Sequence, residues 1–152
     1  MVEHIWTVIC SQSVVDRATN NISLQNILEQ IDVFGPNFPA GGSIVVPVNI
    51  DLVTFWSRSI DNTPCKARAR IQLIAPNNDI LIMNEYEVDL TQHTRNRSIF
   101  KIRGLPIRGE GRHVFLVELY REDVWQPSVR VPLQIIHRLT PVIPPAEPTV
   151  GA

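Results

Sequence analysis

Residues 65–90 constrain this chain more tightly than any other stretch. Cys65, Ala67, Ala69, Ile71 and Leu73 alternate with Lys66, Arg68, Arg70 and Gln72. After Pro76-Asn-Asn-Asp79 the alternation resumes, with Ile80, Ile82, Tyr86, Val88 and Leu90 set against Glu85, Glu87 and Asp89. A period of two belongs to strands with one buried face, and Asn and Asp between them bond to local backbone and form tight turns. A turn centred between Asn77 and Asn78 places Arg70 opposite Glu85, Arg68 opposite Glu87 and Lys66 opposite Asp89. Each opposite-charge pair adds roughly 0.2–1 kcal/mol to strand pairing. A slip of one residue would turn every one of these charges into the core. An antiparallel hairpin with a charged, solvated face follows, and the basic residues of 66–70 take a structural role.

The rest of the chain divides in the same manner. His4–Ser11 reads as a strand, followed by turn chemistry over Asp16–Asn21. Residues 22–34 read as a strand by default, although Ile22, Leu24, Ile27, Leu28 and Ile31 also fit a helical stripe. Gly35–Ser43 holds two prolines and three glycines and must be a loop. Val45–Trp56 is a long strand with Val46, Val48, Ile50, Leu52 and Trp56 on one face and Asn49 and Asp51 on the other. Val124–His137 is a further strand, in which Pro127 and Pro132 remove backbone donors and so require an edge or a bulge. Residues 139–152 have four prolines and no periodicity, and are expected to form an extended tail beyond a single domain of residues 1–138. Seven or eight mostly antiparallel strands with no secure helix predict an all-β fold, an immunoglobulin-like β-sandwich, with a closed barrel as the alternative.

Thr94–Arg121 reads as a second hairpin. Arg95, Arg97, Lys101 and Arg103 share one face of its first arm, opposite Ser98, Phe100 and Ile102. Gly104–Gly111 supplies the connection. Arg112–Arg121 is apolar on both faces apart from Glu118, as in a strand packed within a sheet. Six basic residues between 95 and 112 face Glu110 alone, whereas residues 1–65 hold Arg17 and Arg58 against six acidic residues. The net charge of −1 therefore hides a local basic patch. Arg95, Arg97, Lys101, Arg103, Arg108 and Arg112 are the candidate site for an anionic ligand or an acidic partner. Two plainer roles compete: Arg95 and Arg97 pairing with Asp89 and Glu87 across the preceding connection, or charge guarding an exposed strand. Nucleic acid is disfavoured because the patch lacks interleaved aromatics for stacking.

Catalytic patterns are missing from the sequence. No Gly-x-Ser-x-Gly elbow occurs. His4, His93, His113 and His137 stand singly, without metal-ligand spacing, and each is expected to be structural. Cys10 and Cys65, both in alternating apolar stretches, read as buried free thiols of a cytosolic protein. Glu85 and Glu87 have arginine partners and do not read as a catalytic carboxylate pair. Trp6 and Trp56, with apolar neighbours, are expected in the core; Trp125 is the most exposed candidate for a sugar-stacking surface. Pro141-Val-Ile-Pro144 could dock an aromatic groove, though prolines near a terminus more often mark a linker. The N-terminus shows no signal peptide and no apolar run reaches the ~18–20 residues of a membrane-spanning helix.

Several of these residues also form a recognisable set. Val8-Ile-Cys10, Asp16, Asn20, Ile22-Ser-Leu-Gln-Asn-Ile27, Gly104-Leu-Pro106, Gly111-x-x-x-Phe115 and Val131-Pro-Leu-Gln-Ile135 together resemble a bacterial family of small β-sandwich proteins catalogued as a domain of unknown function. The resemblance spans residues 4–137. It implies a small stand-alone sandwich and supplies no catalytic residue or cofactor. The expectation from the sequence is a cytoplasmic, non-enzymatic protein acting through protein–protein contacts, with a homodimer as one form. A ligand-binding module using the arginine face is the alternative.

Overall fold

Strands with one apolar face need a second sheet to cover it, and this chain meets the need by changing sheets repeatedly. The computed structural model describes residues 1–35, 42–59, 62–139, 146 and 148. Nine strands and no helix form among them: β1 (Val2–Val15), β2 (Ile22–Ile27), β3 (Gln30–Phe34), β4 (Ser43–Arg58), β5 (Cys65–Ile74), β6 (Ile80–Leu90), β7 (Arg95–Arg108), β8 (Gly111–Arg121) and β9 (Val124–Arg138). The first sheet has the order β2-β1-β4-β7 and the second β3-β9-β8-β5-β6. Between them lies one apolar core, in which Trp56, Phe115, Leu52, Leu73, Leu105 and Leu133 are fully buried. All pairings are antiparallel except β3 with β9. The loop at residues 36–41 and nearly all of the expected tail, with Pro141–Pro144, lie outside the described residues.

The β5–β6 hairpin has the register the charges dictate: Lys66 faces Asp89, Arg68 faces Glu87 and Arg70 faces Glu85. The side chains then reach diagonally. Lys66 Nζ lies 3.4 Å from Glu87 and 3.6 Å from Asp89, and Arg68 bonds Glu85 at 2.8 Å. Arg70 turns the other way, to Glu118 on β8 at 2.6 Å.

Three expectations need correction or refinement. Residues 22–34 form two strands in different sheets, which raises the count to nine. Asn26 takes a left-handed φ of 55° just before the break, and Leu28, at the crossover, packs on the core while Ile27 is exposed. That irregular spacing mimics a helical stripe. Residues 94–121 are not a hairpin, because β7 pairs with β4 and β8 with β5 and β9. Two successive amphipathic strands bury their apolar faces equally well side by side or across a core, and alternation cannot distinguish the two. Finally, β9 is bulged at the expected place: Val117 faces Val129 but Glu118 faces Pro127, leaving Ser128 as the extra residue. Both of its prolines precede Gln134, where β3 first pairs.

The corner from β7 to β8 is held by His113, which is fully buried. Its Nε2 accepts the Arg108 backbone N–H at 3.1 Å, so Nδ1 carries the hydrogen and donates to the Gly111 carbonyl at 3.3 Å. Burial lowers its pKa, against a smaller opposing effect of the Gly111 bond. His4, half-buried, is lowered by burial as well. In the unfolded chain both imidazoles take up a proton below the ordinary histidine value, while the fold keeps them neutral. Stability is therefore full above that value and is lost as the pH falls towards the folded pKa. Urea midpoints are expected to drop between pH 7.5 and pH 5, by up to about 1.4 kcal/mol per pH unit for each such group. The slope should flatten in His113→Gln; a midpoint independent of pH would contradict this assignment.

Candidate functional site

A bulge at the start of β1 sets the site. His4 faces Trp56 and Trp6 faces Phe55, so Ile5 is the extra residue and Trp6 moves to the outer face of the first sheet. There its ring stacks on Phe55, with centroids 5.5 Å apart and planes inclined by 22°. The expectation that Trp6 joins the core is thus overturned, whereas Trp56 is fully buried there and donates from Nε1 to Ser98 at 3.0 Å.

Beyond Cys10, β1 leaves β4 and continues paired only with β2. This hairpin arches over the outer face of its own sheet. Ser13 donates from its backbone N–H and its hydroxyl to Asp51 Oδ2, at 3.0 and 2.8 Å. Cys10 and Val53 are fully buried beneath it, yet stand outside the main core. At the tip, Asp16 Oδ1 accepts from the N–H groups of Ala18 and Thr19. Asn20 takes a φ of 59°, a conformation Asn tolerates better than most residues. Arg97 of β7 then donates from Nη2 to the Asn20 carbonyl and side-chain oxygens, at 2.6 and 2.9 Å. Between this tip and the sheet lies a cleft of about 650 Å³, with Trp6, Phe55, Asn20, Asn96, Arg95 and Arg97 among its lining residues.

The six basic residues singled out from sequence do not form one face. Arg95 and Arg97 line the cleft. The pairing of Arg95 and Arg97 with Asp89 and Glu87 does not form, because β6 and β7 belong to different sheets. Lys101 and Arg103 lie 3.7 and 3.6 Å from the Asp51 carboxylate. Arg108 is ion-paired with Asp79. Arg112 is exposed and borders a separate groove with Ile27, Leu28, Val131 and Pro132. Trp125 is half-buried, and Tyr120, Arg68 and Arg70 pack against its ring.

Sequence reasoning placed Asp51 on an ordinary polar face, but its side chain is only 2% exposed. Burial works to raise its pKa; the two Ser13 bonds and the nearby Lys101 and Arg103 charges outweigh it, and the carboxyl ends below the usual range. Burial first, and the Asp51 charge second, push the Cys10 thiol up, which makes it a poor nucleophile. A lone acid within the apolar run Val45–Trp56 was the available signal for this buried group. Comparison with protein-family models and with curated proteins returns no match for this chain.

Asp51→Asn is expected to destabilise the fold by about 1–3 kcal/mol, the usual cost of leaving buried polar groups poorly satisfied. Urea unfolding measures the loss, and faster maleimide labelling of Cys10 would report loosening of the overlying hairpin. Because the folded carboxyl is lowered, its contribution is present above the ordinary aspartate value and is lost as the pH falls through the folded one. The gap between wild type and variant should narrow there.

Proposed function

We propose that this protein works through protein–protein contacts, as an adaptor or subunit, and that β6 and β7 form its contact edge. The observation that carries this reading is the pairing of opposite charge on two free edges. β6 ends the second sheet and β7 ends the first, and the two touch along the same side of the sandwich. Glu85, Glu87 and Asp89 lie on β6, and Arg97, Lys101 and Arg103 on β7. Edge strands with unmet backbone groups are templates for another strand.

A second copy of the chain supplies the complementary edges. β6 and β7 are joined by only residues 91–94 and run in opposite directions. A two-fold axis parallel to the strands brings β6 of one copy beside β7 of the other, antiparallel, at both places at once. The outer faces then become continuous, with the acidic row beside the basic row. Such an isologous contact closes on itself and does not propagate. A β7–β7 contact, by comparison, would set like charges together.

The finer parts of the proposal rest on separate support. Repeated changes of sheet along the chain favour an immunoglobulin-like sandwich over a simple meander. Two free cysteines, Cys10 and Cys65, suit a reducing cytoplasmic setting. An anion-binding face built from all six basic residues finds less support, since Arg108 is paired with Asp79 at the far end of β7 and Arg112 borders a separate groove, apart from Arg95 and Arg97 at the cleft.

Sedimentation of the full chain should give a dimer at about 50 mM salt that dissociates towards about 500 mM, where screening shortens to a few ångströms. Glu85→Lys with Glu87→Lys should remain folded, because the exposed pairs it breaks contribute little, and should sediment as a monomer at low salt. A wild-type monomer at every concentration and salt would overturn the proposed contact between copies.

A further inference from the structure

The cleft under the β1–β2 tip has a chemistry of its own. Two guanidinium groups, Arg95 and Arg97, line it, and no acidic side chain does. Arg68, Arg70, Arg108 and Arg138 are each bonded to a carboxylate. Among the described residues the Arg97 side chain, in contrast, bonds only the neutral oxygens of Asn20, through one of its three nitrogens. Arg95 is exposed, and among the described residues its side chain has no hydrogen-bond or ion-pair partner. A guanidinium left without an anion keeps its planar fork of donors available for a carboxylate or phosphate.

The cleft floor beside Arg97 is aromatic, because Trp6, Phe55 and Arg97 are cross-strand neighbours in one row of the first sheet. Trp6 and Phe55 are half-buried and stacked nearly parallel, and both border the cleft. The stacked pair gives this part of the cleft an aromatic, apolar surface that a conjugated ring can pack against. Asn20, Asn21, Asn96 and Thr19 add neutral donors and acceptors along the rim. The volume, about 650 Å³, falls within the range of small-molecule sites. A plain solvated cleft would account for one free arginine. It would not account for two arginines without a carboxylate partner among the described residues, set beside a stacked aromatic pair beneath a latched turn.

We propose that this cleft binds a small planar anion, its conjugated ring on Trp6 and Phe55 and its carboxylate or phosphate on Arg95 and Arg97. The site does not depend on the β6–β7 contact between copies, since binding and sedimentation report on them separately. Because Arg97 also holds the hairpin tip, an occupied cleft would draw on its remaining nitrogens, and Arg95 is the cleaner residue to remove.

The test is calorimetric titration of the full chain with 2-naphthoate, with adenosine 5′-monophosphate and with neutral 2-naphthalenemethanol. At least one anion should bind saturably with Kd below about 1 mM, and the neutral alcohol should bind at least about tenfold more weakly. Binding of 2-naphthoate alone identifies an aryl carboxylate, and binding of the nucleotide alone a phosphorylated nucleoside; either supports the site. Arg95→Ser, which breaks no side-chain hydrogen bond or ion pair among the described residues, should weaken binding by about tenfold or more, and Trp6→Leu should weaken it too. Amide and indole resonances of Trp6, Asn20 and Asn96 should shift on titration. No saturable binding by either anion up to about 10 mM, equal binding of the alcohol, or affinity unchanged in Arg95→Ser would each overturn the proposal.

Discussion

The Asp51 carboxylate ties together three strands of the first sheet. It belongs to β4, accepts two hydrogen bonds from Ser13 on β1, and lies 3.7 and 3.6 Å from Lys101 and Arg103 on β7. A charge in so enclosed a place costs several kcal/mol unless donors and countercharges offset it. Here the donors come from the hairpin itself, so the carboxylate is satisfied only while β1 stays arched over the sheet. Lys101 and Arg103 remain more than half exposed, and their pull on the acid is correspondingly screened by solvent. The Ser13 bonds are the stronger hold. Together with the Arg97–Asn20 bonds at the tip, they keep the hairpin over the sheet and the cleft roofed.

The second sheet solves the same problem differently. Among the described residues no hairpin covers its outer face; its own side chains do. Arg70 and Glu118 form a bond 2.6 Å long and largely shielded from water, and Arg70 also lies 4.4 Å from the centroid of the Trp125 ring. Arg68 sits 4.8 Å from the Tyr120 centroid and bonds Glu85. Each arginine stacks on an aromatic face while its donors reach a carboxylate, a combination the planar guanidinium allows and an ammonium does not. The basic run 66–70 is therefore consumed within the sheet. On the other sheet Arg95 and Arg97 have no carboxylate partner among the described residues.

How much of this the sequence disclosed depends on the range over which each interaction acts. The β5–β6 register was legible because a tight turn and three charge pairs fix it locally. So were the bulge opposite Pro127 and the placing of Trp56 inside. The path from β7 to β8 was not legible: an amphipathic strand states which face is buried and is silent on whether its neighbour in sequence pairs or packs across. Trp6 was misplaced because one extra residue, Ile5, inverts the alternation, and nothing in His4-Ile-Trp6 marks the bulge. Asp51, Arg95, Arg97, Lys101 and Arg103 were assigned from strand parity alone, and Arg108 and Arg112 from their place at the turn. Parity cannot foresee that a distant hairpin will cover half of an outer face and divide one charged stripe into a structural half and an open one.

That division makes β7 the strand on which both functional proposals meet. Among the described residues its outward backbone edge has no strand partner, and its outer face changes character midway. From Lys101 onward the charges serve Asp51; at Arg95 and Arg97 they face the cleft. The backbone edge and the side-chain face of a strand point at right angles, so a partner strand could pair with β7 while a small anion occupied the cleft above it. The two events would still share Arg97, whose guanidinium reaches from the edge strand to the roof of the cleft. A charge brought close to one site would act on the other through that single group, without any movement of the sheet. Coupling between contact and ligand, if both occur, should then be electrostatic in origin and weaken as salt screens it.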